Sequence, residues 1–150
     1  MMTERLARDK GRASVAGGGG RAATACRGVR GAITVGPKPS PVVLEAAVGE
    51  MLEQMLARNQ LLTEDIAALV FTLQPDLADV NPAAAARARG FQQVPLLMVR
   101  EHGGDTRLAH CIRALMLVNS PLSQLQIRHV YLGGAQQLRP DLVAGSGERP

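Results

Sequence analysis

The segment Cys111-Ile112-Arg113-Ala114-Leu115-Met116-Leu117-Val118 is apolar except at Arg113. A run this short, rich in aliphatic and β-branched residues, reads as a strand buried on both faces. A guanidinium stays charged at any ordinary pH, and removing it from water without a partner costs several kcal/mol. Whatever the chain folds into must therefore bring an anion to the middle of a sheet. Either a protein carboxylate or a ligand has to supply it, so the strand predicts an anion-binding pocket built on a sheet.

The 150 residues suit a single domain, and 46% hydrophobic content is enough for a real core. Phe71, Phe91 and Tyr131 are the only aromatic residues. Base stacking, the usual route to single-stranded nucleic acid, therefore has almost nothing to work with, and no nucleic-acid partner is expected. No run of about 18 apolar residues predicts a membrane span. Cys26 and Cys111 do not form a disulfide framework and suit a reducing compartment, so a cytoplasmic location is expected. Ala23-Thr24-Ala25 resembles a signal cleavage site, but no apolar stretch precedes it and secretion is not expected.

The formal charge of +4 is unevenly placed. Residues 1–26 carry five basic side chains against two acidic ones, and the rest carries twelve against eleven. With Gly17 to Gly20 and no apolar period, residues 1–26 read as a disordered basic extension. Residues 27–142 read as the folded domain, and 143–150 as a flexible tail.

Within the domain, Arg27 to Val35 predicts a first strand. Ser40 as N-cap and Pro41 at the first helical position open a helix through Arg58. Its apolar side carries Val43, Ala47, Met51, Leu52 and Met55. Thr63-Glu64-Asp65 caps a turn into a second strand, Ile66 to Leu73. Asn81-Pro82 starts another helix that runs to Arg89 and stops at Gly90. Val94 to Glu101 is a third strand, turned by His102-Gly103-Gly104-Asp105 into a hairpin with the fourth, about Leu108 to Val118. Pro121 to Gln124 predicts a short helix, and His129 to Leu132 a fifth strand. The expected class is α/β (α+β), a mixed sheet packed with helices.

His102, His110, His129, Cys26 and Cys111 show no zinc-like spacing, so no metal is expected. Cys111 faces the same side of its strand as Arg113, which favours the thiolate, yet a cysteine in an apolar strand is usually a small core residue. No glycine-rich phosphate loop or nucleophile elbow occurs. Arginines remain. Arg30 and Arg113 each interrupt an apolar strand, and Glu101 closes the strand expected to pair with that of Arg113. This pair is read either as an ion pair that only holds the sheet together, or as a carboxylate that orients Arg113 while a ligand fills the remainder.

The stretches Arg27-Gly28-Val29-Arg30-Gly31-Ala32-Ile33-Thr34-Val35, Phe71-Thr72 through Pro75-Asp76-Leu77, Pro82-Ala83 with Ala86-Arg87, Val94-Pro95-Leu96 to Glu101, Cys111-Ile112-Arg113, Ile127-Arg128-His129-Val130-Tyr131-Leu132 and Leu138-Arg139-Pro140-Asp141-Leu142 follow one another in this order. Together they resemble the AroH class of chorismate mutases, over nearly all of residues 27–142. The resemblance implies a homotrimeric pseudo α/β barrel with active sites between subunits. It implies rearrangement of chorismate to prephenate without a cofactor, on the route to phenylalanine and tyrosine. It places Arg113 on the ether oxygen and a carboxylate of the substrate, Arg30 and Tyr131 on a carboxylate, and Glu101 on the ring hydroxyl. Arg87, Leu138, Ala83 and Leu97 match pocket-lining positions.

Three positions depart from the family pattern. Asn81 stands where a Phe is usual, Ala84 where a Lys is common, and Met98 in place of a cysteine near the ring hydroxyl. A thioether cannot donate a hydrogen bond, so weaker substrate binding is expected with the central machinery intact. Two other readings remain open: a non-catalytic or altered-ligand trimer of the same fold, and an imine deaminase of the Rid type.

Overall fold

The structure, a computed structural model, describes residues 22–102 and 108–143. The extension up to residue 21, the glycine turn at 103–105 and the tail from residue 144 lie outside the described residues.

Among the described residues, five strands and three α-helices make a mixed α/β domain: β1 (Ala25–Thr34), α1 (Pro41–Ala57), β2 (Ile66–Leu73), α2 (Pro82–Ala88), β3 (Leu96–Arg100), β4 (Cys111–Ser120), β5 (Val130–Leu132) and α3 (Pro140–Val143). Both long-range helix starts follow from their caps. Ser40 Oγ accepts from the Val43 amide at 3.3 Å and Asn81 Oδ1 from the Ala84 amide at 2.9 Å, each with proline next in the chain. Gly90 ends the second turn of α2 at φ +97°, a conformation that favours glycine. The helix α1 buries Leu44, Val48, Met51, Leu52 and Met55 against one face of the sheet. There they meet Val29, Leu69, Phe71, Ile112, Met116 and Val118, and α2 adds Ala83, Ala85 and Ala86 to the same layer.

The strand order is β3-β2-β4-β1-β5. The central strand β4 runs antiparallel to both β1 and β2, while β3 lies parallel to β2 and β5 parallel to β1. This corrects the expected hairpin of β3 with β4. Both edges of β4 are already taken, so β3 adds to the far side of β2. A second correction concerns burial. Along β4, inward residues are covered by the helices, but Arg113 and Leu117 are half-buried and Leu115 is 40% exposed. One face of the sheet is therefore largely uncovered within the chain.

The helix expected at Pro121 is replaced by a turn. Gln124 explains it: its side-chain amide donates to the Gly28 carbonyl at 2.8 Å and accepts from the Gly28 amide at 2.9 Å. The side chain thus extends the pairing of β1, and the backbone does not coil. Beyond it, Asn59 ties the end of α1 to the entry of β5. This side chain is 2% exposed. Its Nδ2 donates to the Met55 and Arg128 carbonyls at 2.8 and 2.9 Å, and its Oδ1 accepts from the Arg128 amide at 2.7 Å. A buried amide satisfied three ways is a strong positional lock.

Candidate active site

The strand registers line up one row of side chains across all five strands on the uncovered face. Val99 pairs with Thr72, Thr72 with Arg113, Arg113 with Ala32, and Ala32 with Tyr131. Directly paired residues share a face. Two strand spacings of about 4.8 Å each separate Arg113 from Tyr131, with only the Ala32 methyl group between them. The row therefore holds a cation, a gap with a small floor, and a phenol. Below it lies a separate apolar cluster of Ala32, Cys111, Tyr131 and Ala135, with Leu108 and Leu138 packed against it.

Arg113 meets Glu101, as its place in the sheet demanded. Its Nη1 donates to Glu101 Oε2, and the two side chains are 22% and 18% exposed. The carboxylate reaches it from beyond β2, past Thr72, whose hydroxyl donates to Oε1 at 2.5 Å. Burial alone pushes the Glu101 carboxyl up, but the hydrogen bonds from Arg113 and Thr72 outweigh it and hold the group below its ordinary value. Burial likewise works against the Arg113 charge, and Glu101 overcomes it, so the guanidinium is firmly cationic. Nε and Nη2 of Arg113 have no partner among the described residues.

Two more groups on this face want an anion. Tyr131 is 5% exposed, and its buried hydroxyl has no hydrogen-bond partner among the described residues. A buried polar atom left unpaired is costly and calls for a ligand. Arg30 lies two residues from Ala32 on β1, on the same face, exposed and without a carboxylate partner among the described residues. Its backbone amide donates to His129 Nδ1 at 3.1 Å. Burial, then the nearby Arg30 and Arg139 charges, push the His129 imidazole below its ordinary value, so it stays neutral and keeps accepting. Arg139 is engaged by Asp141 through two nitrogens, at 3.0 and 2.8 Å.

The other sequence-derived site residues fall elsewhere. Leu138 closes the turn after β5 and packs beside Tyr131. Leu97 is on the uncovered face, in the row of Val70, Leu115 and Arg30, three strands from Arg30. Met98 pairs with Phe71 and so lies on the helix side of β3. Asn81, Ala83 and Arg87 belong to α2, which packs in the helix-covered layer. Within one chain these do not meet Arg113. Thr72, Gln74 and His129 were missed as parts of the site. They lie in stretches that carry the resemblance, but were given no role there, because that role follows from the position of β2 between β3 and β4 and of β5 beside β1.

Burial pushes the Cys111 thiol up to about 11, so it is an inert floor residue rather than a nucleophile. Among the described residues no group of three His, Cys, Asp or Glu is placed to hold a metal, and no helix is long and apolar enough to cross a membrane.

Comparison with known proteins meets this geometry directly. The family model for chorismate mutase type I matches residues 26–142. The AroH chorismate mutase of Thermus thermophilus is 44% identical over 117 residues, 77% of this chain and 95% of that protein. The Bacillus subtilis (strain 168) AroH chorismate mutase is 38% identical over 117 residues, 77% of this chain and 91% of its own length. A solved chorismate mutase from Clostridium thermocellum superposes with a TM-score of 0.69 at 34% identity, covering 73% of this chain and 97% of that one. The matched range takes in all of the sheet but its first residue, with Arg30, Arg113 and Tyr131 inside it, and on it the chain belongs to the chorismate mutase type I family.

Proposed function

We propose that this chain is an isomerase that converts chorismate to prephenate, in the biosynthesis of phenylalanine and tyrosine. One observation carries the reading: a half-buried, half-paired Arg113 lies in register with Tyr131, whose hydroxyl is unpaired among the described residues, across a small-floored gap on the same sheet face. The reaction is unimolecular. As the C–O bond breaks, the ether oxygen gains negative charge, and a preorganised guanidinium in a dry site stabilises it far better than water does. Arg113 supplies that charge through the N–H groups Glu101 leaves free. Glu101 orients Arg113 and accepts the ring hydroxyl of the substrate. Arg30 and Tyr131 take a carboxylate and hold the enolpyruvyl arm over the ring. Positioning of this kind supplies up to about 7–11 kcal/mol of barrier lowering in favourable systems.

The working form is a homotrimer with each site shared between copies. Leu97, Val99 and Leu115 are 59%, 42% and 40% exposed on the uncovered sheet face, a patch of large apolar side chains that a lone chain does not hide. The division of site residues between the two faces of the sheet supports the same arrangement. Arg87, Asn81, Ala83 and Met98 approach an Arg113 only if it belongs to a neighbouring copy. Two unpaired cysteines support work in the reducing cytoplasm.

The test is the loss of chorismate absorbance with purified protein, followed by detection of prephenate. Turnover is the expected result. No prephenate, together with tight binding of a bicyclic dicarboxylate analogue, would replace this reading by a ligand-binding trimer.

A further inference from the structure

Glu101 begins where β3 ends, and its amide donates to the Leu73 carbonyl at 2.8 Å. Its side chain must cross β2 to reach Arg113 on β4, and the residue it crosses is Thr72, the register partner of both Val99 and Arg113. The carboxylate is an acceptor only, so the Thr72 hydroxyl is the donor in their 2.5 Å contact. Each carboxylate oxygen is thus held from a different strand: Oε1 by Thr72 and Oε2 by Arg113. A β-branched side chain is stiff about its first torsion, so the hydroxyl is a fixed point on the sheet.

We propose that Thr72 is a positioning residue for the rearrangement: from the intervening strand its hydroxyl pins Glu101, so that one edge of Arg113 is held and the other is presented to the ligand. The proposal deepens the chorismate mutase reading and rests on it for its kinetic test alone. Facing Glu101 are Arg113 and Cys111 from β4 and Thr72 and Gln74 from β2 and its end, while Asp76 in the following turn acts on Cys111. Of the neutral groups, only Thr72 is both in hydrogen-bond contact with Glu101 and in line with Arg113.

The experiment compares Thr72→Val, which keeps the branch and loses the hydroxyl, with Thr72→Ser, which keeps the hydroxyl. Two quantities are read: kcat and KM on chorismate, and the titration of the Glu101 carboxyl by NMR on the substrate-free protein. Thr72→Val is expected to lower kcat about tenfold, as for one lost hydrogen bond to a charged group, with KM changed less than about threefold. The Glu101 midpoint is expected to move up, and Thr72→Ser to restore both readings. A Glu101 titration unmoved in Thr72→Val overturns the proposal even if turnover falls, because the residue then acts by packing. Thr72→Ser as impaired as Thr72→Val overturns it too. Should Thr72→Val fail to fold, Thr72→Ala is read in the same way. A parent protein inactive on chorismate removes the function proposed above but leaves the titration as a test of Thr72.

Discussion

Arg113 resolves its burial with one carboxylate, and that carboxylate occupies only part of the fork. Five N–H donors sit on a guanidinium, and Glu101 engages a single nitrogen. On the proposed reading, the remaining edge is what would separate an active-site arginine from a structural ion pair. Arg113→Lys keeps the charge and loses the planar fork. It should reduce kcat about 100- to 1000-fold, roughly 3–4 kcal/mol in barrier, with Arg113→Ala at least as severe. Single-turnover kinetics check this, and near-normal turnover in Arg113→Lys would show that fork geometry is unimportant. His129 makes a different prediction, through pH. Its folded value lies below the ordinary 6.5, so between the two values the unfolded chain binds the extra proton. The neutral imidazole therefore contributes stability in full above the ordinary value, and that contribution is lost as pH falls through the folded one. His129→Asn, which retains an acceptor for the Arg30 amide but does not titrate, should flatten the decline in urea midpoint between about pH 7.5 and 5. An unchanged pH profile would mean that His129 does not govern this range.

The helix α2 owes its start to one side chain. Asn81 caps it through the Ala84 amide, at a position where the resemblance led to the expectation of an aromatic residue. Asn81→Ala should cost about 1 kcal/mol in urea unfolding, and Asn81→Asp little, because the acceptor is kept. An equal loss in both variants would show that the cap is not what Asn81 contributes. The strands tell a matching story. Their apolar runs were readable for all five strands, β3 included though not its partner, and the first two helices from their caps, because each signal lies within a few residues. The turn at Pro121 was not readable, because Gln124 finds its partner at Gly28, ninety-six positions away in sequence. The same holds for Asn59, whose partners at Arg128 bind α1 to β5 and so set the place of Tyr131.

For the molecule as a body, the proposed trimer would be built on the uncovered sheet face. Leu115 sits at its centre, between Arg30 on β1 and Val70 on β2. Leu115→Glu places a charge where a second copy would pack, and burying it unpaired would be prohibitive. The variant should run as a monomer in light scattering and lose turnover by at least about tenfold, since shared sites would no longer be complete. A Leu115→Glu protein that stays trimeric would move the interface away from this face.

Some properties could be read along the chain without coordinates. The demand of Arg113 for an anion, the capped starts at Ser40-Pro41 and Asn81-Pro82, and the pairing of Glu101 with Arg113 all follow from local chemistry or from a residue pattern shared with a family. The strand order could not be read this way. Hydrophobic pattern tells a strand which face to bury but not which neighbour to take, and sequence proximity argued for β3 beside β4. Folding placed β2 between them because β4 spends both its edges on longer antiparallel partners. That non-local choice put Thr72 under Glu101, and the place of β1 between β4 and β5 aligned Arg113 with Tyr131 across Ala32. The sheet is left with a face of apolar side chains that the chain itself does not cover.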